Sequence, residues 1–168
     1  MIERHYLEEC LGQLRKLKVQ SEKAVAQIDD RQFFALLDSE ANSIALIMKH
    51  VAGNMRSRWT DFLTTDGEKP DRDRDSEFET GPGETRDVIL AHWEDGWSRT
   101  LGAISSLEPE DLDKTVTIRG EPHTVLQAIN RQVAHYALHA GQIVLLAKHF
   151  AGSRWQTLSL ARKVRSKK

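Results

Sequence analysis

Apolar residues recur every three or four positions over four long stretches, the spacing of amphipathic helices. Ile2, Tyr6, Cys10, Leu14, Leu17, Ser21, Ala24 and Ile28 mark the first, which the pattern runs from about Glu3 to Ile28. Asp29-Asp30 ends it, and Arg31–Leu37 reads as a connector whose Phe33 and Phe34 cap the core. A second helix starts near Asp38 or Ser39, either of which can cap free N–H groups, and continues to about Leu63. Ile44, Ile47, Met48, Val51, Met55, Trp59 and Phe62 form its stripe. At about 100° per residue, His50 falls at the edge of that stripe, beside Ile47, Ser43 and Asn54. A third helix spans about Thr85 to Ser106, with Val88, Ile89, His92, Trp93, Gly96, Trp97, Leu101 and Ile104 on its buried face. The fourth opens on a capping box, Thr124-Val125-Leu126-Gln127, and runs to about Phe150, where Gly152 stops it.

Between these stretches the pattern breaks in two ways. Thr64–Glu84 holds Gly67, Pro70, Gly81, Pro82 and Gly83 and the charge-dense Asp71-Arg72-Asp73-Arg74-Asp75. Such a long loop is either a lid or a linker. Phe78 as an apolar anchor favours an ordered cover over one end of the helices. Pro109 marks a short helical turn at Ser106–Leu112. Thr115-Val116-Thr117-Ile118 is β-prone, and Arg119-Gly120-Glu121-Pro122 turns it back, predicting a small hairpin before the last helix. The fold class is all-α: an antiparallel four-helix bundle with that hairpin. We assign residues 1–152 to the bundle and 153–168 to a C-terminal extension.

The fourth helix carries the chemistry. His135 and His139 are four residues apart, so they stack on one helix face. Its main stripe holds Val125, Ala128, Gln132, His135, His139, Ile143, Leu146 and Phe150, and a second strip holds Leu126, Val133, Ala140 and Val144. A helix apolar nearly all round is deeply buried or shared with a partner, and Gly141 with Ala134, Ala137 and Ala140 permits close approach. A homodimer through this helix is one expectation. Buried imidazole needs partners for its nitrogens. Two stacked imidazoles are either hydrogen-bonded core residues or two ligands of one divalent ion that takes a third from elsewhere. His50 and His92 are the candidates for that third position.

Composition narrows the setting. The chain has 168 residues, 39% hydrophobic and 29% charged, which suits one soluble domain. No apolar run approaches the roughly 20 residues of a membrane span, and the first residues lack a signal-peptide pattern. Cys10 is the one cysteine, so neither a disulfide framework nor a thiolate metal knuckle is available. A cytoplasmic protein is the expectation. Net charge is −1, yet Arg162, Lys163, Arg165, Lys167 and Lys168 crowd the C-terminus and leave the remainder acidic. That tail reads as solvated, since no basic face with interleaved aromatics supports it, so neither nucleic acid nor membrane is expected as a partner.

His135-Tyr136-Ala137-Leu138-His139-Ala140-Gly141-Gln142 resembles the H-x-x-x-H-x-G-Q signature of the DinB-like superfamily. That superfamily includes the YfiT-like metal hydrolases and the bacillithiol and mycothiol S-transferases. His50 followed by Trp59 matches the position of its third histidine. Asn42–Phe78, with Asn54-Met55-Arg56-Ser57-Arg58-Trp59 and Asp66-Gly67-Glu68-Lys69-Pro70, further resembles an uncharacterised bacterial subfamily, and the likeness covers about residues 3 to 150. The resemblance implies an up-down-down-up bundle, frequent homodimers, and a divalent ion (zinc, nickel or iron) on His50, His135 and His139. His92 matches no ligand, which leaves it packing or a hydrogen bond to a ligand. Gln132, Gln142, Asn54 and Ser43 are candidates to hold the second ring nitrogens of the ligands, with ordinary polar positions on a helix surface as the equal alternative for the amides. His5, His123 and His149 read as surface or cap residues.

Three imidazoles leave a coordination position open, which suits S-transfer from a low-molecular-weight thiol or hydrolysis. Glu94 and Asp95 are conceivable bases, though paired acids on a helix usually form a solvated face. Arg56 and Arg58 could grip a carboxylate, with surface ion pairs as the plainer role. The competing expectations are a non-catalytic, metal-stabilised dimeric bundle, active in stress response or binding, and a bundle without metal.

Overall fold

A computed structural model of the chain describes residues 1–160. The basic positions Arg162, Lys163, Arg165, Lys167 and Lys168 lie outside them. Four long helices carry the architecture: α1 (Ile2–Val25), α3 (Ile44–Trp59), α4 (Arg86–Ser105) and α5 (Val125–Ala151). A four-residue helix, α2 (Asp30–Phe33), follows α1, and a hairpin of β1 (Thr115–Ile118) and β2 (Glu121–Thr124) precedes α5. Helix α3 packs on α4 and α5, and α1 packs on α5 and α4. Their apolar faces meet in one core that includes Leu14, Met48, Met55, Trp93, Trp97, Ile129, Tyr136 and Ile143. Among the described residues, no helix is long and apolar enough to cross a membrane.

The helix ends follow local chemistry. Helix α1 stops at Val25, three residues before the predicted end, and Asp29 begins α2 with a capping box to Gln32. Phe33 is fully buried there and meets Phe34 edge to face at 5.2 Å. Helix α3 starts later than predicted. Ser43, not Asp38 or Ser39, accepts from Leu46 N at 3.2 Å, while Asp38 accepts from Glu40 N in a turn. Ser43 therefore caps a helix, and its hydroxyl makes no hydrogen bond to a histidine. Thr85 and Thr124 cap α4 and α5 as expected, the latter with Gln127 in a capping box. Gly152 closes α5 at φ +55°. Beyond it, Trp155 and Leu158 pack against the core.

The hairpin is shorter in the turn than predicted. Arg119 and Gly120 both have positive φ, +56° and +77°, and Ile118 pairs with Glu121. That is a two-residue type I′ turn, whose twist matches the flanking strands. Pro122 thus belongs to β2 and not to the turn.

Candidate metal centre

His135 and His139 project from α5 at the edge of its buried face, not from its centre. The fully buried positions of α5 are Val125, Ala128, Ile129, Gln132, Tyr136, Ala140, Ile143, Leu146, Ala147 and Ala151, and both histidines are half-buried. His139 Nε2 lies 3.1 Å from His135 Nε2. His50, on α3, is buried at 6% exposure and presents its ring edge-on to both, at centroid distances of 5.5 Å and 5.1 Å. One nitrogen of each of the three histidines falls within 4.8 Å of the others.

The remaining ring nitrogens decide whether this cluster fits an ion. His50 Nδ1 donates to Glu77 Oε2 at 2.9 Å, which leaves Nε2 with a free lone pair. His139 Nδ1 pairs with Gln142 Oε1 at 2.8 Å, again leaving Nε2. His135 Nδ1 is buried without a partner. Burial first, then the charges of His139, His50, Arg72 and Arg58, push the His135 pKa down to about 3, so its ring is neutral at pH 7. Burial also lowers His139, against a hydrogen bond to Gln142 that raises it. With its proton on Nδ1 toward Gln142, His139 presents an Nε2 lone pair, and neutral His135 either donates Nε2–H to it or carries its own proton on Nδ1 and adds a second lone pair. Two imidazole nitrogens on one tetrahedral ion stand about 3.3 Å apart at bond lengths of about 2.05 Å, close to the 3.1 Å spacing of His135 and His139. The three-histidine cluster could hold a metal ion.

Glu77 has no counterpart in the sequence reading. It lies in a 3-10 turn, Asp75–Phe78, that packs on α3 and is itself 5% exposed. Burial alone would raise its pKa. The hydrogen bonds from His50 and Arg72, with the Arg72 charge, more than offset that and hold the carboxylate below its usual range. Arg72 donates to it twice, from Nε and Nη2, each at 2.8 Å. Gly53, one turn after His50, leaves the space that the carboxylate fills. Phe78 covers the His50 ring at 4.7 Å. The loop is thus a cover on α3, and it delivers the acid that orients His50. The one local signal was Phe78, an apolar anchor that marks where the loop turns inward.

The other proposed orienting residues divide. Gln142 reaches His139. Gln132 and Asn54 serve a different centre: Gln132 Nε2 donates to Asn54 Oδ1 at 2.6 Å and to Tyr136 Oη at 2.9 Å. Tyr136 Oη donates to Asn54 at 3.2 Å and accepts from Trp59 Nε1 at 3.0 Å. His92, expected on a buried face, is exposed and lines a separate cleft with Lys49, Arg56 and Asp95. The conceivable bases are in ion pairs: Glu94 with Lys18 and Asp95 with Arg99, both at 2.7 Å. Arg56 forms an exposed pair with Asp71 at 2.9 Å. Arg58 departs from the surface reading. Its side chain is 2% exposed and lines a cavity of about 430 Å³ with His50 and His135. His5 and His149 are exposed, and His123 Nδ1 lies 3.0 Å from Glu121 O in β2.

A protein-family model matches residues 1–164. The chain belongs to DUF1572, a family of unknown function. No curated protein matches it. This DUF1572 chain therefore joins a helical scaffold to a cluster of three histidines.

Proposed function

We propose that this DUF1572 chain is a metal-dependent enzyme built on a DinB-like, up-down-down-up four-helix bundle. In this reading residues 1–152 form the bundle, 153–168 extend it, and His50, His135 and His139 hold a divalent ion. Zinc, nickel and iron all suit three imidazoles. Such an ion supplies Lewis acidity toward a thiol or a water molecule, the chemistry of S-transfer and of hydrolysis. Glu77 fixes the His50 tautomer and strengthens its basicity, and Gln142 does the same for His139. Burial keeps His135 neutral and ready to bind.

The observation that carries catalysis over a purely structural role is the cavity. About 430 Å³ opens directly onto His50 and His135, large enough for a small molecule. A structural site would be closed by a fourth protein ligand. The alternative, a non-catalytic metal-stabilised dimer, draws support from Leu138 and Leu145, which lie two turns apart on α5 at 61% and 66% exposure. A homodimer through that face is compatible with either reading.

Elemental analysis of untagged protein tests the site. The wild type should carry about one divalent ion per chain, and the His135→Ala, His139→Ala double variant almost none. Equal metal in both ends the proposal. Turnover by the loaded protein, assayed with thiol–electrophile pairs and with esters or amides, then separates S-transfer from hydrolysis. A loaded protein inert toward both supports the structural alternative.

A further inference from the structure

The cavity beside the histidines is lined by five arginines: Arg58, Arg72, Arg74, Arg119 and Arg131. Two carboxylates serve them. Glu77 is fully engaged by Arg72 and His50. Glu68 is shared among Arg72 at 3.2 Å, Arg119 at 3.3 Å and Arg58 at 3.9 Å. Among the described residues, Arg74 and Arg131 have no carboxylate partner; Arg74 lies over the Phe78 ring at 5.3 Å. Arg58 is the sharper anomaly. Its Nε and Nη1 are buried with no hydrogen-bond partner, and burial lowers its pKa. A buried guanidinium with open donors is costly, because water no longer satisfies them. Five cations against two paired acids, with Asp66 a third carboxylate nearby, leave the cavity with surplus positive charge beside the imidazoles.

We infer that this cavity binds a small-molecule oxyanion, a carboxylate or a phosphate, as the anionic end of a substrate whose reacting end meets the three histidines. The second half of that statement rests on the metal-dependent reading above; the first half rests on the arginines alone. Guanidinium forks match the paired oxygens of carboxylate and phosphate, and low dielectric around buried Arg58 strengthens the pairing. The cavity volume suits a compact ligand and not a polymer laid across the surface. His50 and His135 line the same space, so a ligand held by the arginines lies next to the cluster.

Calorimetric titration of the full-length protein, metal-loaded and chelator-treated, tests this with succinate, inorganic phosphate and neutral succinamide. One or both anions should bind and succinamide should not, and affinity should fall as salt rises. Succinate alone assigns a carboxylate subsite, phosphate alone a phosphate subsite. Arg74→Gln and Arg131→Gln change exposed side chains, so the fold should survive. Each should weaken the anion by about tenfold, with metal content unchanged. Arg15→Gln, on the exposed side of α1, should change nothing. Succinamide binding as well as succinate, no binding of either anion, or wild-type affinity in both arginine variants overturns the inference. Loss of anion binding with metal content intact leaves the metal reading standing. Anion binding kept by a protein whose metal survives the His135→Ala, His139→Ala change supports the arginine subsite and overturns the metal reading.

Discussion

Gly53→Ala tests the centre without touching a histidine. A Cβ at Gly53 would lie 2.8 Å from Glu77 Cδ and 3.3 Å from Cγ, with Oε1 nearer still. Carbon atoms pack at about 3.5 Å or more, so the carboxyl carbon must retreat by about 0.7 Å. Glu77 is held by contacts of 2.8 Å from Arg72 and 2.9 Å from His50. A retreat of that size lengthens them toward about 3.5 Å, past the optimal hydrogen-bond range. The Arg72 side chain is 2% exposed and cannot turn to water in compensation. Charge-assisted bonds contribute about 1.5–3 kcal/mol each. Three of them weakened but not abolished give a loss of about 2–4 kcal/mol. The alanine itself returns about 1 kcal/mol of helix propensity, for a net destabilisation of about 1–3 kcal/mol. Metal affinity should fall about 10- to 100-fold, because His50 loses its orienting acid. Gly12→Ala is the matched control: it sits mid-helix in α1 with nothing within 4 Å of the new Cβ, and should stabilise by about 1 kcal/mol. Urea unfolding of metal-free protein and metal titration against a competing chelator give both quantities. Gly53→Ala behaving like Gly12→Ala, with wild-type metal affinity, would refute the role given to Glu77.

Tyr136→Phe should cost about 1–3 kcal/mol in urea unfolding, because it strands Trp59 Nε1 in the core and removes one hydrogen bond each from Gln132 and Asn54. Its metal affinity should match wild type; a large drop would show that Gln132 or Asn54 acts on the histidines after all. Gln142→Ala should weaken metal by about tenfold or less, since exposed Gln142 leaves room for water at His139 Nδ1. A loss larger than that of Gly53→Ala would contradict this order. The metal-free protein should also lose stability in acid. His135 titrates near 6.5 unfolded but at about 3 folded, so below about pH 6.5 the unfolded chain takes up the proton first. The His135 contribution is therefore fully present above about 6.5 and falls toward 3, by at most about 1.4 kcal/mol per pH unit, and His139 adds its own loss in the same direction. His135→Ala should flatten that slope, and a wild-type profile flat from about pH 6.5 to 4.5 would count against the depressed pKa.

The long helices were legible because each buries one continuous apolar face, and that face imposes its period on the chain. Capping chemistry placed α4 and α5 well, but it misplaced the start of α3. Asp38, Ser39 and Ser43 are all competent caps, and burial of Ile44 and Ala45 selects the last of them. His92 failed for a related reason. It adjoins Trp93 and Ile89 at the edge of the α4 stripe, and a stripe does not say which of its edges a neighbour covers. His135 and His139 announced themselves by their spacing, yet the stripe is centred one position away, on Tyr136. That shift is what puts the histidines at the rim, beside a cavity, and sends Gln132 into the core.

Glu77 was invisible because its partners are distant in sequence and its neighbours are equally charged. What distinguishes it is the way residues 64–84 are fastened. The Ser57 hydroxyl donates to Gly67 O at 3.1 Å and accepts from Lys69 N at 2.8 Å. Gly67 N donates to Thr117 O at 2.8 Å, and the Asp66 carboxylate takes both Arg119 N and Gly120 N of the hairpin turn. Glu68 then ties Arg72 to Arg119. One end of the loop is therefore stitched to α3 and to the hairpin, while Glu77 stitches the other end to His50. Both ends are needed to fix the arginines around the cavity. The loop that breaks the helical pattern thus adds Arg72, Arg74, Glu68 and Glu77 to a site whose imidazoles, with Arg58 and Arg131, come from α3 and α5. The helices place the imidazoles, and the ion pairs around them depend on an irregular segment held down against α3, where Gly53 and Gly67 are two of the points of close approach.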